Sequence, residues 1–269
     1  MRVPFVKMHG LGNDFVVIDR RDGDIPPVEA ALARALADRR TGIGCDQFVV
    51  LEESANADFR MRIFNADGGE VEACGNASRA VALLHGQPAT IETGGGIISA
   101  RPADDGIAVD MGTPRFDWDA IPLAYAMDTR SMPVAWEELE NPVAVNVGNP
   151  HIIFFVPDTD AVDLARLGPV IETDPLFPER VNVNVATIAS RSAIRLRVWE
   201  RGSGLTRACG TGACATAVAA MARGLVERSV AVTLPGGTLI ISLDDNGRII
   251  MTGPATESFR GSFEWGDFA

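Results

Sequence analysis

Residues 207–217 read RACGTGACATA, and residues 72–82 read EACGNASRAVA. In each, a cysteine meets a glycine where a polar loop gives way to a run of small, alanine-rich residues that favour a helix. The two cysteines, Cys74 and Cys209, are 135 positions apart, half the chain of 269 residues. The match spreads from there. MRIFNADGGEVEACGN from Met61 lies over LRVWERGSGLTRACGT from Leu196 and pairs Arg62 with Arg197, Gly69 with Gly204, and Ala73-Cys74-Gly75 with Ala208-Cys209-Gly210. LGNDFVVI (Leu11 to Ile18) lies over VGNPHIIF (Val147 to Phe154) at an offset of 136, and the stretches ending at Gly112 and Gly253 agree at 141. The second copy has thus gained about six residues after its cysteine, where TGACATAVAAMARGLVERS outlasts NASRAVALLHGQPAT.

Each copy predicts one order of elements. A β-branched strand follows Gly-Asn, a second strand (MRIF or LRVW) leads into a glycine loop, and an alanine-rich helix follows the cysteine. Two strands joined at DDG or DNG close the copy, since Asp-Gly and Asn-Gly suit primed two-residue turns. The fold class expected is mixed α/β in two duplicated domains, residues 1–117 carrying Cys74 and residues 118–269 carrying Cys209. The stretch RFDWDAIPLAYAMDTRSMPVAWEELENPV belongs to neither copy and is expected to hold the connection and a crossing strand. Duplicated domains are expected to pack about a pseudo-twofold axis, with their matched loops facing across a cleft.

Composition narrows the class. A net charge of -12 repels nucleic acid and anionic membrane, so neither is expected as a partner. No apolar stretch approaches a bilayer span and the start lacks a secretory core, so the cytoplasm is the expected compartment. The four cysteines, Cys45, Cys74, Cys209 and Cys214, form no CxxC pair and suit reduced thiols. They and the three histidines lack zinc-ligand spacing, so no metal is expected.

A thiol at a helix start sits beside unpaired N–H groups and the positive end of the helix dipole, which favour its ionised form. One such cysteine is as readily a small buried residue; two at matching places favour chemistry. Cys45 and Cys214 read as packing. Two equivalent thiols on opposite walls of a cleft suit inversion at a tetrahedral carbon, one removing a proton while the other delivers one to the opposite face. Lys7 is the single lysine and lies in no Schiff-base context, so no pyridoxal phosphate, and no other cofactor, is expected. N–H groups of Gly75, Asn76, Gly210 and Thr211 are placed to stabilise the negative charge instead, and glycine beside each thiol allows the close approach.

MHGLGNDFVVID, GCDQFV, FNADGGEVEACGNASR, GNPH, RVNVNVA and WERGSGLTRACGTGACA together resemble the diaminopimelate epimerase family, whose members isomerise an amino acid of lysine and cell-wall biosynthesis without pyridoxal phosphate. The resemblance implies two similar domains, each with strands wrapped as a curved sheet or barrel around a central helix, an active site in the cleft between them, and a C-terminal tail that returns to the first domain. It implies that Cys74 and Cys209 exchange acid and base roles in interconverting LL- and meso-diaminopimelate. It also implies that Gly75, Asn76, Gly210 and Thr211 hold the reacting carboxylate. Asn13, Asn65, Asn149, Asn182, Glu200 and Arg201 would hold the substrate, chiefly its distal end, with Gln47 lining the site; His151 and Glu200 would tune the thiols. The expected partner is thus a small molecule, with a homodimer left open. Ala77, Ser78 and Leu205 depart from the family pattern, which has glycine and a small residue after CGN and commonly Glu at the third place.

Taken singly, these residues have plainer readings. Asn after Gly is ordinary turn chemistry, His151 suits a strand entrance, Glu200-Arg201 suits a surface ion pair, and Asp67 and Glu70 read as turn and surface groups. An isomerase of the same architecture acting on proline, hydroxyproline or another small amino acid is the nearest rival. A thiol oxidoreductase would keep its thiols close in sequence, and a solute-binding protein leaves the matched thiols unexplained.

Overall fold

A computed structural model describes the chain except for Asp22, Asp24, Ala73 and Ala269. Ala73, which the repeat sets over Ala208, is therefore outside the described residues. The chain forms two compact units, Met1–Val109 with Gly253–Ala269, and Asp110–Thr252.

In the first unit, strands Arg2–Gly10 and Asn13–Asp19 make a hairpin in which Gly10 pairs with Asn13. Leu11 and Gly12 turn it, both with positive φ (55° and 89°), as a primed two-residue turn requires. Strand Asn13–Asp19 runs parallel to Gln47–Glu52, so the chain must cross over, and helix α1 (Ala30–Ala37) lies in that connection. Gln47–Glu52 then pairs antiparallel with Phe59–Asn65. A second parallel pair, Phe59–Asn65 with Ala89–Thr93, is bridged by helix α2 (Gly75–His85). Strands Gly96–Ala103 and Gly106–Asp110 follow as an antiparallel meander. The C-terminal strand Thr256–Glu264 pairs antiparallel with Arg2–Gly10.

The second unit repeats this connectivity. Val143–Asn146 and Pro150–Phe155 form the hairpin. Pro150–Phe155 runs parallel to Asn182–Ser190 with helix α3 (Leu164–Glu172) between. Asn182–Ser190 pairs with Ala193–Glu200, and that strand runs parallel to Ser229–Leu234 with helix α4 (Gly210–Ala222) between. Gly237–Leu243 and Ile249–Gly253 complete it.

The cysteine helices are largely buried in their units. Residues 212–220 of α4 are all buried, as are residues 76–82 of α2. Small residues let the surrounding strands close upon α4, whereas α2 buries the polar Asn76, Ser78 and Arg79 as well. α4 has 13 residues against 11 in α2, so two of the extra residues of the second copy lengthen the helix. α2 stops at Gly86, whose left-handed backbone (φ 77°) suits a glycine C-cap.

The structure adds to and corrects the sequence reading. α1 and α3 were not foreseen. The crossing strand expected between the copies is instead a short hairpin, Ala135–Trp136 with Leu139–Glu140. The DDG turn is two residues long, Asp104 and Asp105 between paired Ala103 and Gly106, but the DNG segment is a five-residue loop, residues 244–248, with Leu243 paired to Ile249. There Asp244 Oδ1 accepts the N–H groups of Asn246 and Arg248, an Asx arrangement that competes with the tighter turn.

Candidate functional site

In the first unit, strand register gathers the polar candidates. Phe15 pairs with Gln47 and Gln47 with Asn65, so Asn13, Gln47 and Asn65 lie at neighbouring strand ends. Gln47 Nε2 donates to Asn65 Oδ1 at 3.0 Å, while Gln47 Oε1 is buried and has no protein partner among the described residues. Cys74 is the N-cap of α2 in extended conformation (φ -149°), with its Sγ 3.9 Å from Asn13 Oδ1. That oxygen also accepts from Asn76 Nδ2 at 3.2 Å. Both asparagines are themselves oriented: Asn13 Nδ2 donates to Asp46 Oδ2 (3.1 Å), and Asn76 Oδ1 accepts from the fully buried Arg79 Nη2 (2.7 Å). Asp46 and Asp14 are bridged by Arg39. Burial opposes ionisation of Asp14, but bonds from Arg39 and Lys7 outweigh it and hold the carboxyl well below the usual range.

The second unit surrounds its thiol differently. Cys209 is the N-cap of α4, and its Sγ accepts the Gly212 N–H at 3.3 Å and lies 3.6 Å from Thr211 Oγ1. The helix start was expected to ease ionisation of the thiol. Instead its pKa lies well above the ordinary value, because burial and then the nearby Glu200 charge outweigh the helix end. Glu200 is itself pushed up by burial, against a hydrogen bond from the Thr206 hydroxyl.

His151 is fully buried between two amides: Nε2 lies 2.9 Å from Asn149 Oδ1, and Nδ1 3.0 Å from Asn184 Nδ2. An acceptor on one side and a donor on the other assign the Nε2–H tautomer. Burial pulls its pKa down to about 3, so the ring is neutral near pH 7. Asn182 uses both ends of its amide, donating to the Pro150 carbonyl at 2.9 Å and accepting the Arg201 N–H at 2.9 Å.

The remaining candidates separate clearly. Asp67 Oδ1 accepts the Gly69 N–H, and Glu70 pairs with Arg62, as turn and surface groups do. Cys45 is buried and its pKa is pushed up to about 11 by that burial; Cys214 is buried within α4. Ala77 and Ser78 are buried in α2, where Ser78 Oγ donates to the Cys74 carbonyl at 2.9 Å, and Leu205 is exposed. Among the described residues no three His, Cys, Asp or Glu side chains cluster as metal ligands, and no helix is long and apolar enough to cross a membrane. Sequence reasoning missed Asn184, Thr206, Asp46 and Glu172. The alternation in RVNVNVA could have revealed the first, because residues two apart on a strand share a face.

The family model for diaminopimelate epimerase matches residues 5–116 and 143–257. A diaminopimelate epimerase of Erythrobacter litoralis is 71% identical over 269 residues and covers 100% of both chains. One from Rhizorhabdus wittichii is 68% identical over 96% of this chain and 94% of its own. A solved PhzF-family phenazine biosynthesis protein from Bacillus anthracis shares the fold at TM-score 0.70 and 16% identity, covering 98% of this chain and 99% of its own. With the two cysteine-capped helices in place and a match that spans both copies, the chain belongs to the diaminopimelate epimerase family.

Proposed function

We propose that Cys74 and Cys209 are the acid–base pair for the epimerisation that gives this family its name, acting on opposite faces of one α-carbon of diaminopimelate. The observation that carries the reading is the matched capping position: each thiol stands at the start of a buried helix whose first residue is glycine. In one direction, the Cys74 thiolate takes the α-proton while the Cys209 thiol gives its proton to the other face, leaving Cys74 as thiol and Cys209 as thiolate. The reverse direction exchanges the roles. Burial and Glu200 favour the protonated form of Cys209, which suits it to start as the donor. First-turn N–H groups of Gly75, Asn76, Gly210 and Thr211 stabilise charge developing on the substrate carboxylate.

The distal amino acid end carries one positive and one negative group. Arg201 meets its carboxylate and Glu200 its ammonium, and Asn13, Asn65, Asn149 and Asn182 supply or orient uncharged donors and acceptors. Gln47 Oε1, buried without a protein partner among the described residues, accepts from a substrate N–H. His151, neutral and held between Asn149 and Asn184, acts by fixing the Asn149 amide rather than by exchanging protons. The reading assigns no cofactor: Lys7, the one lysine, is bound to Asp14 and the Gly44 carbonyl. It places the protein among cytoplasmic enzymes with a small-molecule substrate.

The test is turnover of the reduced protein in heavy water with no pyridoxal phosphate. LL- and meso-diaminopimelate are expected to interconvert, with deuterium entering at one α-carbon. Interconversion without solvent exchange, or turnover that requires pyridoxal phosphate, sinks the reading.

A further inference from the structure

Glu172 is the last residue of α3, and only 5% of it is exposed. Neither circumstance favours a carboxylate. Burial strips its hydration, and a negative charge at a helix C-terminus faces the negative end of the dipole. A residue that breaks two local rules at once points to a task outside its own helix.

Its partners show that task. Oε2 accepts the Trp199 indole N–H at 2.7 Å. Oε1 accepts the Gly202 backbone N–H at 3.0 Å and faces the Arg180 guanidinium at 3.5 Å. Trp199 and Gly202 are the residues on either side of Glu200-Arg201, so one carboxylate grips that turn at both ends. The helix is brought into reach by Gly168, where an added Cβ would lie 2.5 Å from the Trp199 ring. Gly168 and Glu172 are four residues apart and share one helix face. Arg201 is held in addition by Asn182 at its N–H and by the Glu179 carbonyl at Nη1, 2.9 Å each.

We propose that Glu172 is a positioning residue for substrate recognition, setting the Glu200-Arg201 turn so that these side chains meet the distal end of diaminopimelate. The proposal rests on the role given to Glu200 and Arg201 above. A carboxylate is required because each oxygen accepts a separate donor; glutamine offers one oxygen and turns an NH2 toward the other N–H.

The experiment compares Glu172→Gln, Glu172→Asp and Arg201→Gln in the full chain by steady-state kinetics, thermal melting and amide hydrogen exchange at Gly202. In Glu172→Gln, KM is expected to rise about tenfold or more, the change that accompanies loss of one charge-assisted hydrogen bond. There kcat stays within about threefold, as for lost uniform binding, and Gly202 exchanges faster. Glu172→Asp, which keeps both acceptors, is expected to recover part of the KM. A normal KM in Glu172→Gln beside a raised KM in Arg201→Gln overturns the role of Glu172 and leaves that of Arg201 standing. A normal KM in both overturns both, and a fall in kcat and melting temperature with KM unchanged assigns Glu172 to the fold alone and overturns the proposal. If Glu172→Gln does not fold, Trp199→Phe removes one of the two bonds; a normal KM and unchanged Gly202 exchange there overturn the proposal.

Discussion

The two helix starts are built to one plan and furnished differently. Around Cys74 the neighbours are amides, Asn13 and Asn76, oriented from behind by Asp46 and Arg79. Around Cys209 they are the Gly212 N–H, a hydroxyl and the Glu200 carboxylate, and Cys209 itself is buried. The register of the repeat makes the contrast specific: Asn65 matches Glu200, Asn76 matches Thr211, and Ala77 matches Gly212. A duplicated scaffold has therefore kept the place of the thiol while changing the groups around it.

The sharpest test of that comparison is removal of each sulfur. Cys74→Ala and Cys209→Ala are each expected to lower turnover by about 10³-fold or more, measured by polarimetry or coupled assay, while Cys214→Ala stays near wild type. Substantial activity in either of the first two would end the two-thiol mechanism.

Next in size is the acid response of a buried ring that the second copy has and the first lacks. His151 matches Phe15 of the first, and both are fully buried. The ring titrates near pH 3 when folded and at its ordinary value when unfolded, so between those limits the unfolded state binds more protons. Stability is thus complete above the ordinary histidine pKa and lost as pH falls toward 3, by roughly 4 kcal/mol from this group. Urea unfolding across that range should show a flatter slope in His151→Gln; an unchanged slope would place the acid sensitivity elsewhere.

A smaller effect distinguishes the two caps. A Cβ at Gly212 would lie 2.8 Å from Asn184 Oδ1 and 3.2 Å from Cys209 Sγ, whereas the first copy already buries Ala77 at this position. Gly212→Ala is expected to cost about 1–3 kcal/mol of stability by overpacking, and to lower kcat by shifting the thiol. The reciprocal Ala77→Gly should cost only about 1 kcal/mol, from helix propensity, with activity retained. Equal losses in the two variants, read by thermal melting and kinetics, would mean that the caps are interchangeable.

The sequence disclosed most where its signals were local and repeated. The cysteine, its glycine and the small-residue run after it revealed both central helices, and the Gly-Asn and RVNVNVA segments led to strand ends that carry amides. α1 and α3 escaped because each is short, eight and nine residues, and the second contains Pro169, which weakens a helical reading. Glu172 and Asp46 escaped for another reason. Their partners, Trp199 and Gly202 for one and Asn13 for the other, are far along the chain, and only strand register and helix packing bring them together. The direction of the Cys209 shift was equally hidden, since the helix end is visible in sequence but the depth of burial is not.

The unbroken burial of residues 212–220 ties the aim of a sulfur to the girth of a helix. With alanine, glycine, threonine, cysteine and valine filling that stretch, its wall of strands stands close, and any bulkier side chain pushes the cylinder aside. Core volume and the placement of the Cys209 sulfur are consequently a single design variable in this half of the molecule, so a substitution made deep in the interior for stability also moves the thiol at the helix start.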